Sequence, residues 1–166
     1  MLELQIKELR SLVKSRKPKI ELFAEEDRWY KLKGQSKWIP SVTTMLGAVL
    51  NKGYGFDKWM GDMPSFKIAC QERDEAGKRG TIVHGLCEQL LLEGKVTIPE
   101  DILSLFKEAV SKRMMSFEKW VQSVKPNIIT TEYKLAHRDV PWSGTPDIVC
   151  VMDDGDLCII DIKTGG

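Results

Sequence analysis

Apolar residues along this chain recur at two different periods, and the change between them marks out the elements. Leu2, Ile6, Leu9 and Val13 stand three or four apart, the spacing of one helix face, and predict a helix from Leu2 to about Ser15. The basic stretch Lys14 to Lys19 follows, either a solvated linker or a contact for phosphate, the linker being the commoner use of such a run. Ile20 to Ala24 and Arg28 to Leu32 predict two short strands around an acidic turn, Glu25-Glu26-Asp27. Ser41 is placed to cap a helix that opens on Val-Thr-Thr-Met-Leu. Gly53, Gly55 and Gly61 are expected to break the chain around Tyr54, Phe56 and Trp59. Those rings either stack on bases or pack into a small helical core, and packing fits better.

Two long helices are predicted next, from about Ser65 to Glu93 and from Pro99 to about Val124. The second starts with proline and acids, as a helix N-terminus prefers. Its apolar stripe comprises Ile102, Leu105, Phe106, Ala109, Met114, Phe117, Trp120 and Val121, and Pro126 ends it. From Asn127 to His137 the pattern reads as one strand with Glu132 in its middle, and His137-Arg138-Asp139 as a polar turn. The last stretch is the most informative. Ile148 to Met152 and Leu157 to Ile162 flank Asp153-Asp154-Gly155-Asp156, a hairpin signal. Alternation puts Leu157, Ile159, Asp161 and Lys163 on one face and Cys158, Ile160 and Ile162 on the other. Asp147 begins the preceding strand, across the hairpin from Asp161.

Two carboxylates and a lysine gathered at the end of an apolar hairpin are costly to bury unless a cation or hydrogen bonds compensate them. Carboxylate oxygens suit a hard divalent ion such as Mg²⁺. A lysine beside it can orient or help deprotonate water, or neutralise charge developing on a phosphate. In the first long helix, Gly77-Lys-Arg-Gly80-Thr-Ile-Val-His84-Gly-Leu-Cys-Glu88 puts His84 and Glu88 one turn apart on one face. Gly77 and Gly80 lie on roughly that side, open to another backbone or a ligand. A single helical histidine is more often structural than a ligand, and Lys78 and Arg79 by themselves are ordinary surface charges.

Composition narrows the partners. With 166 residues, 42% hydrophobic and 30% charged, the chain reads as one soluble domain with a single core. A net charge of +1 gives no global attraction to nucleic acid, so such binding must come from a local patch. No apolar run approaches membrane-spanning length, and no export signal opens the chain, so a cytoplasmic location is expected. Cys70, Cys87, Cys150 and Cys158 lack metal-knuckle spacing and are expected to be reduced and mostly buried.

Pro146-Asp147, a strand, a turn and Asp161-Ile162-Lys163 together resemble the PD-(D/E)XK nuclease signature. The other pieces occur in matching order: Ser-Val-Thr-x-x-Leu, a helical Gly-x-x-x-His-x-x-x-Glu, a strand glutamate, Gly-Thr-Pro-Asp and Ile-Asp-Ile-Lys-Thr-Gly. The succession resembles the RecB-type branch of that superfamily over about residues 41–166. That branch includes bacterial recombination nuclease domains, CRISPR adaptation nucleases, mitochondrial genome maintenance exonucleases and phage relatives.

The resemblance implies an α+β, restriction-endonuclease-like core, with helices on a small mixed sheet of strands near 128–136, 145–152 and 157–163. Residues 1–40 would add a helix and short strands to the core at 41–166. It implies His84, Asp147, Asp161 and the Ile162 carbonyl as ligands for Mg²⁺ or Mn²⁺, and Lys163, with Asp161 and Asp147, as catalytic. Glu88 and Glu132 match the family's motif acids and would either ligate the ion directly or support the site, while Lys78, Arg79 and Thr164 would support it or touch substrate. The implied activity is metal-assisted attack of water on a DNA phosphodiester, by an exonuclease rather than a sequence-specific restriction enzyme, in a bacterial or phage-encoded protein. DNA, single-stranded or as duplex ends, would be the partner. The family's helix after the lysine has no counterpart here, so the expectation is either a naturally short protein or one whose fold a missing C-terminal segment or a protein partner completes. The cysteine layout does not match the relatives' iron–sulfur cluster, and no cluster is expected. Two rival readings share the same residues: a non-catalytic nucleic-acid-binding module, and a hydrolase acting on another phosphate ester.

Overall fold

The computed structural model describes residues 1–16, 19–24, 27–50, 53–137 and 139–164. Among them run α1 (Leu2–Ser15), β1 (Ile20–Ala24), β2 (Arg28–Leu32), β3 (Ile39–Pro40), α2 (Val42–Val49), α3 (Tyr54–Asp62) and α4 (Phe66–Glu93). They are followed by α5 (Glu100–Val124), β4 (Asn127–Thr131), β5 (Leu135–Ala136), β6 (Ser143–Gly144), β7 (Ile148–Val151) and β8 (Leu157–Ile160). Helices and strands are mixed, and the strands form small antiparallel sheets ordered β1-β2-β3, β4-β7-β8 and β5-β6. Lys17-Pro18 of the basic stretch, Glu25-Glu26 of the acidic turn, Arg138 of the polar turn and Gly165 lie outside the described residues.

Local chemistry sets the helix ends. Ser41 Oγ accepts from the Thr44 amide at 2.9 Å and Ser65 Oγ from the Ile68 amide at 3.2 Å, so each cap satisfies a donor the helix itself leaves free. Gly94 closes α4 in the left-handed region at φ 70°. The core lies between α4 and α5, where Val83, Leu86, Cys87, Val110 and Met114 are buried. Phe106, Phe117 and Ile162 pack against them, so the chain just beyond β8 is tied to the helical core. Ile102 and Leu105 of the predicted stripe have side chains outside the described set. On the other side, α1 buries Ile6 and Arg10 Nε donates to the Ile128 carbonyl at 2.9 Å, fixing the helix to β4.

Three expectations need correction. The sheet carrying the hairpin is antiparallel throughout rather than mixed; parallel pairing would need a long crossover, and β7 and β8 are joined by a tight turn. Along the described chain the parallel link is a single bridge, Ser41 to Ser143. The strand expected over 128–136 is two pieces, because Glu132 takes φ 45° and its amide turns to the Asp147 carbonyl at 3.0 Å. Gly55 and Gly61 lie inside α3 instead of breaking the chain, and only Gly53, at φ 83°, stands outside the helix. Of the aromatics there, Phe56 and Trp59 pack half-buried on one another with centroids 5.6 Å apart, while Tyr54 is largely exposed. The hairpin itself forms as the pattern requires: Gly155 has φ 93°, and Met152 and Asp156 close the turn. Among the described residues no helix is long and apolar enough to cross a membrane.

Candidate metal centre

The register of the hairpin places the first carboxylate. Ile148 pairs with Ile160, so Asp147 stands where β7 begins and Ile162 passes beside it. Asp147 Oδ2 accepts the Ile162 amide at 2.6 Å, and its backbone carbonyl accepts the Glu132 amide at 3.0 Å. The preceding Thr145 is held by the Tyr30 hydroxyl at 2.8 Å. Asp147 is 12% exposed, and its second oxygen, Oδ1, lies 3.4 Å from His84 Nδ1. The hydrogen bond from Ile162 and the nearby imidazole hold this carboxylate in place at the start of β7.

The face of α4 supplies the facing wall. Gly77, Gly80, Thr81, His84, Gly85 and Glu88 all line one open cleft of about 1430 Å³, which also takes in Glu132, Asp147, Asp161, Ile162, Lys163 and Thr164. Gly80 faces Thr164 closely: a Cβ there would meet Thr164 Oγ1 at 3.1 Å, so the threonine side chain would have to give by a few tenths of an ångström. Gly77 opens onto free space. Glu88 is oriented by Thr131, whose hydroxyl donates to Oε1 at 2.8 Å. His84 and Glu88 therefore share the cleft face, as their spacing implied, and Glu88 reaches β4.

His84, Glu132 and Asp147 can each offer one ligand atom such that all lie within 4.8 Å of one another. One imidazole and two carboxylates form a donor set for a divalent cation, and the nitrogen suits Mn²⁺ as well as Mg²⁺. The electrostatics fit the same reading. Burial raises the Glu132 carboxyl above its ordinary value, and the neighbouring charges of Asp147 and Glu88 raise it further, against His84 and Arg28. Two crowded acids lacking a full counter-charge are what a cation would relieve. The left-handed backbone of Glu132, uncommon for a non-glycine residue, aims that acid at the set.

Asp161 and Lys163 are placed differently. Burial alternates from Leu157 to Thr164, and both residues point outward with Leu157 and Ile159 while Ile162 turns in. Asp161 is 60% exposed and Lys163 82%, and their side chains pair at 2.5 Å. That hydrogen bond and the Asp161 charge raise the Lys163 ammonium above its usual value. Both line the cleft, yet Asp161 stands outside the compact His84–Glu132–Asp147 group. Lys78 and Arg79 are not among the cleft residues; Arg79 lies 3.8 Å from Glu75 and over the Phe106 ring.

Several contributors had no signal in the pattern. Arg113 Nε donates to the Thr164 carbonyl at 2.7 Å and to the Ala109 carbonyl through its terminal nitrogen, pinning the chain after Lys163 to α5. Thr131 and Tyr30 act only through long-range partners. Trp142 offered one cue, an aromatic just before Ser-Gly-Thr-Pro-Asp, and it lines the cleft. Of the cysteines, Cys87 is buried and its thiol is pushed up to about 12 by burial and the Asp147 charge, which keeps it unreactive. Cys150 and Cys158 face one another across β7 and β8 as free thiols. No family model, curated protein or solved structure matches this chain.

Proposed function

We propose that this chain is a metal-dependent DNA nuclease of the PD-(D/E)XK kind, with a restriction-endonuclease-like core, acting as an exonuclease. The observation that carries the reading is the meeting of His84, Glu132 and Asp147 beside the Asp161–Lys163 pair in one open cleft. His84, Glu132 and Asp147 would hold Mg²⁺ or Mn²⁺. When bound, the cation supplies Lewis-acid polarisation of the phosphate and activation of water.

The chain's own groups do the rest. Lys163 keeps its proton at neutral pH, so it serves as a fixed positive charge toward phosphate oxygens rather than as a base. Asp161 holds that ammonium at the rim and lies close enough to the cleft to reach a cation or water once substrate draws Lys163 away. Glu88, through Thr131, steadies the end of β4 just before Glu132 takes its left-handed turn. An open cleft of about 1430 Å³ suits an extended polymer rather than an enclosed small molecule.

The test is cleavage of end-labelled single-stranded and duplex DNA with Mg²⁺ or Mn²⁺, for the wild type, Lys163→Ala and Asp147→Asn. Metal-dependent products that a chelator abolishes, reduced on the order of 10²- to 10³-fold in Lys163→Ala, are expected. Cleavage unaffected by either substitution, or no products with any metal, would overturn the proposal. DNA binding without cleavage, insensitive to metal, would instead favour a non-catalytic module, a reading that the exposure of Asp161 and Lys163 motivates.

A further inference from the structure

We infer that Trp142 is a stacking platform for an unpaired base, so that the cleft takes a single-stranded or frayed nucleic-acid end. The inference rests on the nuclease reading of the cleft and names its substrate class. Trp142 lines that cleft and is 61% exposed, a large apolar surface to leave in water. Among the described residues no ring or cation is paired with the indole.

Its backbone is held on both sides. The Trp142 amide donates to the Val140 carbonyl at 2.7 Å, and its carbonyl accepts the His137 amide at 2.8 Å. His137 Nδ1 accepts the amides of Asp139 and Val140, which stiffens the same turn. The next residue, Ser143, is buried and its hydroxyl lies 3.1 Å from the Ile39 carbonyl and 2.6 Å from that of Pro40. An exposed ring on a clamped backbone is preorganised, so little ordering is needed when a flat partner arrives.

Position supplies the rest. Trp142 precedes Asp147 by five residues, so its backbone lies within about 17 Å of the ligand carboxylate's, a few nucleotides along a strand. Exposed Leu135 extends the apolar wall beside it, pairing register with Gly144. Lys163 and Arg28 add positive charge in or at the same cleft. Within a duplex each base face is covered by its neighbours, the outer faces of the end pairs apart; along a strand, an unpaired base presents a free face to an indole.

Binding of fluorescent oligothymidine and of a blunt duplex would be measured with Ca²⁺ in place of Mg²⁺, for the wild type, Trp142→Ala and Trp142→Phe. Cleavage of both probes would be followed in Mg²⁺. Trp142→Ala is expected to weaken oligothymidine binding roughly 5- to 100-fold, with most of it restored in Trp142→Phe and duplex binding unchanged. Oligothymidine should also quench wild-type tryptophan fluorescence, and that quench should vanish in Trp142→Phe, a readout that holds even if Trp142→Ala unfolds. Unchanged oligothymidine binding in the variants, with metal-dependent cleavage intact, would overturn the inference and leave the nuclease reading standing. Loss of self-association in place of oligothymidine binding would mark a protein contact and overturn it too. A wild type that neither binds nor cleaves either probe would sink both.

Discussion

Asp147 and Asp161 stand almost opposite one another at the end of the hairpin, and the fold treats them in opposite ways. Asp147 is nearly buried, accepts the Ile162 amide and faces His84. Asp161 is mostly in water and, among the described residues, pairs with Lys163, itself more exposed still. One half of the proposed site is therefore built by the protein, and the other half waits on a rim where water screens the pairing. An exposed ion pair contributes about 0–1 kcal/mol to stability. A carboxylate that satisfies a half-buried amide matters to the fold as well as to chemistry. The inner half should behave as structure plus ligand, the outer half as chemistry alone.

The largest effect should come from Asp147. Asp147→Asn keeps an oxygen for the Ile162 amide but removes a negative ligand, so cleavage should fall on the order of 10³-fold or more while the fold survives. Asp147→Ala should lose about 1–3 kcal/mol of stability as well, because the amide is left unpaired, and urea unfolding would read this. Lys163→Ala should come next, losing on the order of 10²- to 10³-fold in cleavage with a melting temperature matching the wild type. A destabilised Lys163→Ala would erase the contrast between the two halves.

A smaller loss is expected from Thr131→Val, which removes the hydroxyl that orients Glu88. Metal affinity, read by calorimetric titration, should weaken roughly 10- to 100-fold if Glu88 supports the cation through its surroundings. The smallest effect concerns pH. Folding raises the Glu132 carboxyl above its ordinary value, chiefly by burial, so the folded state binds that proton more tightly than the unfolded chain. In chelator, stability should fall as pH rises from the ordinary glutamate value through the raised one, and the penalty should persist above it. Glu132→Gln should flatten that fall in urea unfolding across the window, and added Mn²⁺ should offset the penalty in the wild type alone. Because Glu132 as a whole is exposed and its carboxyl only partly shielded from water, the change is small.

The sequence carried the elements whose causes are local. Periodicity places α1, α4 and α5, the cap at Ser41 places α2, and the Asp-Gly turn places the hairpin. His84 and Glu88 share a face because one helical turn separates them, and Gly80 yields space to Thr164 as a small residue there should. The alternation that set Asp161 with Leu157 and Ile159 is also seen, but it could not tell which face would meet α4. Tertiary contacts decided what remained unreadable. Ile-Ile-Thr-Thr-Glu-Tyr-Lys-Leu-Ala has the pattern of one continuous strand, yet a hydrogen bond to the Asp147 carbonyl turns Glu132 out of it and toward His84 and Asp147. Arg113 and Thr131 are ordinary in pattern and act only through partners distant in sequence.

The most direct test is calorimetric titration of Mn²⁺ into the wild type, Asp147→Asn and Asp161→Asn at neutral pH. Binding by the wild type that Asp147→Asn abolishes and Asp161→Asn largely keeps is the predicted result, because the cation belongs to the inner half. Equal binding in Asp147→Asn, or a loss in Asp161→Asn as complete as in Asp147→Asn, would contradict the account.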